Sequence, residues 1–217
     1  SSRPGEGKST TAANLAIVQA QAGKQVILVD ADLRKPTLHR MLSVNNRQGL
    51  TTALVNDSFN PQELFQETGV TGLRLLSSGP LPPNPAELLG GTRFSDLLAL
   101  LTSMADLVII DSPPASAVTD PIVLSGRVGG VIVVLDSGRT RAGAVRQTVE
   151  ALSKSGSLQL GGVLNKMTKR SGTYYYYYYT YGYGQDGSID GPQGAKAQRT
   201  GDGARRQGIL SRMRLRG

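Results

Sequence analysis

Three short stretches of this sequence carry residue types that work on phosphate. The first is SSRPGEGKST, Ser1 to Thr10. Gly7, Lys8 and Ser9 match the end of the pattern G-x-x-x-x-G-K-[S/T], with Ser2 at the place of its first glycine. Gly5 and Gly7 let backbone N–H groups turn toward phosphate oxygens. Lys8 supplies a cation for β and γ phosphates, and the Ser9 hydroxyl is a ligand for Mg²⁺. A helix starting near Ser9 would aim its positive end at the same anion. The second stretch, VILVDADLRKP from Val26 to Pro36, places Asp30 and Asp32 after an apolar run. The third, LVIIDSPP from Leu107 to Pro114, ends a similar run on Asp111. Open α/β sheets bind ligands at the carboxyl ends of their strands, and a carboxylate there can hold Mg²⁺ directly or through water. One such aspartate is also an ordinary turn or cap residue. Three beside a phosphate loop argue for a nucleoside triphosphate site.

Other residues carry more than one reading. Asn165 can read a nucleotide base or form a turn. Arg34 can clamp a phosphate or pair with a nearby acid. His39, the single histidine, is expected to be structural or exposed.

The elements that must position these groups follow from periodicity. Residues 9–22 have small and apolar side chains at helical spacing, closed by Gly23. Short apolar runs at 26–29, 73–79, 107–110, 130–136 and 160–165 read as buried parallel strands. Helical patterns fit at about 92–104, 119–127 and 141–155. Strand and helix in alternation predict an α/β fold, a doubly wound, mostly parallel sheet with helices on both faces.

Composition narrows the class. A length of 217 residues suits one domain with a tail. No run approaches the ~18 apolar residues of a membrane-spanning helix, and no secretory signal is visible. The chain has no cysteine, which excludes disulfides and Cys-ligated zinc or iron–sulfur sites within it. Residues 171–208 are rich in Gly, Tyr, Gln, Asp and Arg and are expected to be disordered, so residues 1–170 form the expected domain and 171–217 a tail. The eight tyrosines all fall between Tyr174 and Tyr183. Seven basic residues against Asp202 alone fall in 196–217, so the net charge of +8 is concentrated there. A solvated tail, or contact with an anionic surface, is consistent with that charge.

Taken in order, PGEGKSTTAANLA, ILVDADLRKPTLH, PPNPAELL, DLVIIDSPP, TDP, GVLN and the tyrosine cluster resemble the bacterial tyrosine kinases of capsule and exopolysaccharide export, a P-loop NTPase family. The resemblance spans about Ser1 to Met167 plus the tail. It implies that Gly5, Glu6, Gly7, Lys8, Ser9 and Thr10 cradle ATP, with Arg34 and Asn165 as further nucleotide contacts. It implies Mg²⁺ on Ser9, Asp32 and Asp111. Asp30 would orient or deprotonate a tyrosine hydroxyl, and Lys8, Asp30, Asp32 and Asp111 form the implied catalytic set. Tyr174, Tyr175, Tyr176, Tyr177, Tyr178, Tyr179, Tyr181 and Tyr183 become acceptors of autophosphorylation, usually between neighbouring subunits. A membrane-embedded polysaccharide co-polymerase acts as activator, fused upstream or separate, and holds the kinase at the cytoplasmic face of the membrane. A ring-shaped oligomer and a phosphotyrosine phosphatase complete the implied partners, with no nucleic acid among them. The family's first strand and the Glu/Arg segment before it do not occur in this sequence, so the chain is expected to be a fragment. Min/Par-type ATPases place a signature lysine five residues before the P-loop lysine, where Arg3 stands here. The alternative is therefore a regulatory ATPase with a basic DNA- or membrane-binding tail.

Overall fold

In the computed structural model, Ser1, residues 3–56 and residues 61–167 are described. The eight tyrosines, the basic end and Ser2 lie outside these residues, and so do the expectations placed on them.

The chain enters the phosphate loop directly and continues into helix α1, Lys8–Gln21. Its buried residues, Ala13, Ala16 and Ala20, are small and share one face, so the helix lies close against the sheet. Gly23 then takes φ +90°, a left-handed conformation that suits a helix C-terminus. Strand β1, Val26–Asp30, is buried along its whole length. It pairs in parallel with β3 (Leu73–Leu76) on one side and β4 (Leu107–Asp111) on the other. A short antiparallel strand, β2 (Phe65–Glu67), adds an edge beside β3, giving the order β2-β3-β1-β4. Helices α2 (Leu38–Met41) and α3 (Leu50–Val55), with a 3-10 turn at Pro61–Leu64, fill the β1–β2 connection. Helices α4 (Pro85–Gly90) and α5 (Thr92–Ser103) connect β3 to β4. Apolar layers cover both faces. Ile27, Val29, Leu76, Phe94 and Leu101 belong to one, and Leu28, Leu73, Leu75 and the α1 alanines to the other.

After β4, helix α6 (Asp120–Ser125) leads to β5 (Val131–Asp136), α7 (Ala142–Lys154) and β6 (Gln159–Asn165). Strands β5 and β6 pair in parallel with each other only. The expected mostly parallel strands are thus present as a four-stranded sheet and a two-stranded one. Among the described residues no strand bridges them. A cleft of about 450 Å³ lies between, with Val108 and Ile110 of β4 and Val131 and Val134 of β5 among its walls.

The expected strands and the four expected helices are all present, the third of these as the six-residue α6. The antiparallel edge strand β2 and the short helices α2, α3 and α4 are additions. Each spans six residues or fewer.

Candidate nucleotide and phosphotransfer site

The phosphate loop owes its shape to two glycines. Gly5 takes φ +78° and Gly7 φ +95°, conformations costly for other residues. At Gly7 a second constraint applies, since a Cβ there would lie 2.1 Å from the Asn165 side-chain nitrogen. Gly7 is the N-cap of α1, and Lys8, Ser9 and Thr10 form its first turn. Backbone N–H groups of a first helical turn have no intrahelical acceptor, so this end of a 14-residue helix is ready for an anion.

The far sheet braces the loop. Asn165, the last residue of β6, donates from Nδ2 to the Glu6 carbonyl at 3.0 Å. Lys166 donates to the Gly5 carbonyl and forms an ion pair with Asp136 at 3.3 Å. The Glu6 carboxylate is buried. It accepts from the Arg3 N–H at 2.9 Å and from the Thr140 hydroxyl at 2.5 Å. Of the two sequence readings of Asn165, neither named this contact, a brace across the P-loop. Thr140, Asp136 and Lys166 had no signal in local sequence, because their partners are more than a hundred residues away or depend on the β5–β6 register.

The carboxylates sit on the opposite side. β1 and β4 pair in a register that sets Asp30 directly beside Asp111, both buried, at the carboxyl edge of the sheet. Asp30 Oδ2 accepts from the Thr37 and Leu38 N–H groups at 3.1 and 3.0 Å, while its Oδ1 is buried without a hydrogen-bond partner. Burial, then the nearby Asp111 charge, pushes the Asp30 carboxyl up to about 7. Asp111 Oδ2 is likewise buried and unpartnered. Burial raises this carboxyl to about 6, against the opposing effects of a Ser9 hydrogen bond and the Lys8 charge. The two ends of the site are thus in contact. Asp32 is half-buried and its Oδ1 accepts from the Arg34 and Lys35 N–H groups at 3.3 and 3.0 Å.

Arg34 takes the second of its two expected roles. Its guanidinium grips Asp120, with Nε at 2.8 Å and Nη2 at 3.1 Å from the two carboxylate oxygens. Asp120 escaped notice as a site residue, although a Pro one position on marks its helix start. His39 is half-buried at α2, with Nδ1 unpartnered.

The lone pair left without a donor at Asp111, beside the Ser9 hydroxyl and the Lys8 charge, is what a hard divalent cation on a triphosphate requires. Among the described residues no three acidic or histidine side chains converge into a closed metal site. Phosphate oxygens and water would have to complete the coordination, as Mg²⁺ ordinarily demands.

A glycine loop opening a helix, with carboxylates at the ends of the neighbouring parallel strands, defines a P-loop nucleotide-binding domain. The ParA family, described as NUBPL iron-transfer P-loop NTPase, matches residues 1–182. Tyrosine-protein kinase YwqD of Bacillus subtilis is 44% identical over 170 residues, covering 77% of this chain and 71% of the relative. Tyrosine-protein kinase ptk of Acinetobacter johnsonii is 36% identical over 171 residues, which are 79% of this chain but 23% of the relative. The crystallised kinase domain of Escherichia coli tyrosine kinase ETK superposes with a TM-score of 0.74 at 34% identity, covering 77% of this chain and 66% of that one. The chain belongs to the bacterial tyrosine-protein kinases within the P-loop NTPases.

Proposed function

We propose that this chain transfers the γ-phosphoryl group of ATP to its own tyrosines, Tyr174 to Tyr179, Tyr181 and Tyr183, between neighbouring copies in an oligomer. The observation that carries the reading is the pairing of Asp30 with Asp111 opposite the P-loop. Lys8 neutralises β and γ phosphate oxygens, and the α1 first turn supports the same charge. Ser9, Asp32 and Asp111 would hold Mg²⁺, which supplies charge neutralisation and in-line alignment when bound. Asp30 Oδ1 accepts the phenolic proton as the tyrosine oxygen bonds to phosphorus and the bond to ADP breaks. A tyrosine hydroxyl has a pKa of ~10. A carboxylate raised to about 7 is a better match for that proton than an ordinary one.

The same reading places the kinase in control of capsular or exopolysaccharide synthesis, with a membrane-embedded activator and an opposing phosphotyrosine phosphatase. No helix among the described residues is long and apolar enough to cross a membrane. That ptk is about four times longer than the matched segment supports an activator fused upstream in some relatives. Self-association into a ring would bring one copy's tyrosines to another copy's site.

The test is incubation of the chain and its activator with γ-labelled ATP and Mg²⁺, followed by peptide mapping. Phosphotyrosine within 174–183, lost in Lys8→Met, is expected. ATP hydrolysis without phosphotyrosine would instead support a Min/Par-type regulatory ATPase, the reading favoured by Arg3 and the basic residues of 196–217.

A further inference from the structure

Asp120 is a fully buried carboxylate far from the phosphate loop in sequence, and a buried charge persists only where it is paired. Its partner is Arg34, which meets both carboxylate oxygens in a bidentate fork while its own side chain remains 42% exposed. The connection that carries Arg34 is short and crowded with function. Its backbone amides at 34 and 35 hold Asp32 Oδ1, and those at 37 and 38 hold Asp30 Oδ2. Asp120 opens α6, the helix that follows β4 and therefore follows Asp111. The ion pair ties the connection after β1, which bears Asp32, to the start of α6, the helix that follows Asp111 at the end of β4.

We infer that Asp120 is a positioning residue. By clasping Arg34 it fixes the separation of Asp32 from Asp111, and so sets the affinity of the site for the divalent cation that accompanies the nucleotide. This rests on the proposed roles of Asp32 and Asp111 as cation ligands. It does not depend on whether tyrosine is the acceptor. The chemistry is that of an outer support to a metal ligand. Asp120 touches neither phosphate nor cation, yet it orients the loop whose amides orient Asp32. A carboxylate that merely filled the core would support the fold without favouring one nucleotide state over another.

The experiment is a titration of the full chain with a fluorescent ADP analogue, first in EDTA and then across a Mg²⁺ series, for wild type, Asp120→Asn, Arg34→Gln and the double variant. Removing an outer support of a metal ligand ordinarily weakens metal affinity by roughly 10- to 100-fold. Each single variant is expected to need at least about tenfold more Mg²⁺ for half-maximal tightening, with EDTA affinity near that of wild type. The double variant should be no worse than either single one, because both remove the same contact. If Asp120→Asn does not fold, Arg34→Gln still decides, since it removes the half-exposed partner. Unchanged Mg²⁺ dependence in folded Arg34→Gln overturns the inference. So does an equal loss with and without Mg²⁺, which would make Arg34 a phosphate contact or the pair a purely structural one. A wild-type chain whose nucleotide affinity ignores Mg²⁺ overturns it as well. A Mg²⁺ shift in a chain that never yields phosphotyrosine upholds the clasp and sinks the autokinase reading.

Discussion

Strands β1 and β6 both deliver a side chain to the nucleotide site, but from opposite surroundings. β1 is buried at every residue, between two parallel partners and two apolar layers. β6 pairs on one side only, with Leu160 63% and Leu164 54% exposed. The carboxylates proposed for chemistry, Asp30 and Asp111, end adjacent parallel strands of the four-stranded sheet, β1 buried throughout and β4 half-buried at its edge. The side chains that brace the P-loop, Thr140, Asn165 and Lys166, come from β6 and the segments beside it. The carboxylates are thus set by strand register, and the phosphate loop by side chains that reach it from beside the second pair of strands.

That contrast can be measured. The largest effect is expected in the four-stranded sheet, where Leu28→Ala should cost about 2–5 kcal/mol, whereas Leu164→Ala should stay within about 0.5 kcal/mol. Similar costs at the two positions would erase the distinction.

The fold was legible wherever a run of side chains reported its own surroundings. VILV and LVII are continuous apolar runs because those strands are covered on both faces, and their trailing aspartates fall at the sheet edge for the same reason. The P-loop was legible because its glycines and lysine are adjacent in sequence. The split into two sheets was not, since local pattern does not say which strand edges meet. Nor was the Arg34–Asp120 clasp, whose partners are separated by 86 positions. Asn165 shows a third limit. Its residue type suited a base contact or a turn, and only the approach of β6 to Gly7 revealed a brace.

Two smaller effects sharpen the comparison from the site itself. Gly7→Ala forces a strained φ and drives a Cβ into Asn165. It should destabilise the fold by about 1–3 kcal/mol and abolish binding of the fluorescent nucleotide. Adding Asn165→Ala should recover part of the stability. The carboxylate pair should give a pH signature of opposite sign to that of most acids. Asp30 and Asp111 titrate near 7 and 6 in the folded chain, above the ordinary value of 3.8. The folded state then holds protons that the unfolded state has released. Their contribution to stability is full below pH ~4 and is lost as pH rises toward ~7. Urea midpoints of the nucleotide-free chain should show this fall, and Asp111→Asn should flatten it. A slope unchanged in that variant would show that the pair is not strained.

The hydrogen bonds from Thr37 and Leu38 to Asp30 bear on the choice of inactive controls. Replacing Asp30 by alanine removes a proposed base and also uncaps α2, so lost activity would mix chemistry with local unfolding. Lys8→Met leaves every hydrogen bond described around the carboxylates in place and is the cleaner loss-of-function reference. Asp30→Asn, which keeps an acceptor for the two amides, is the informative companion to it.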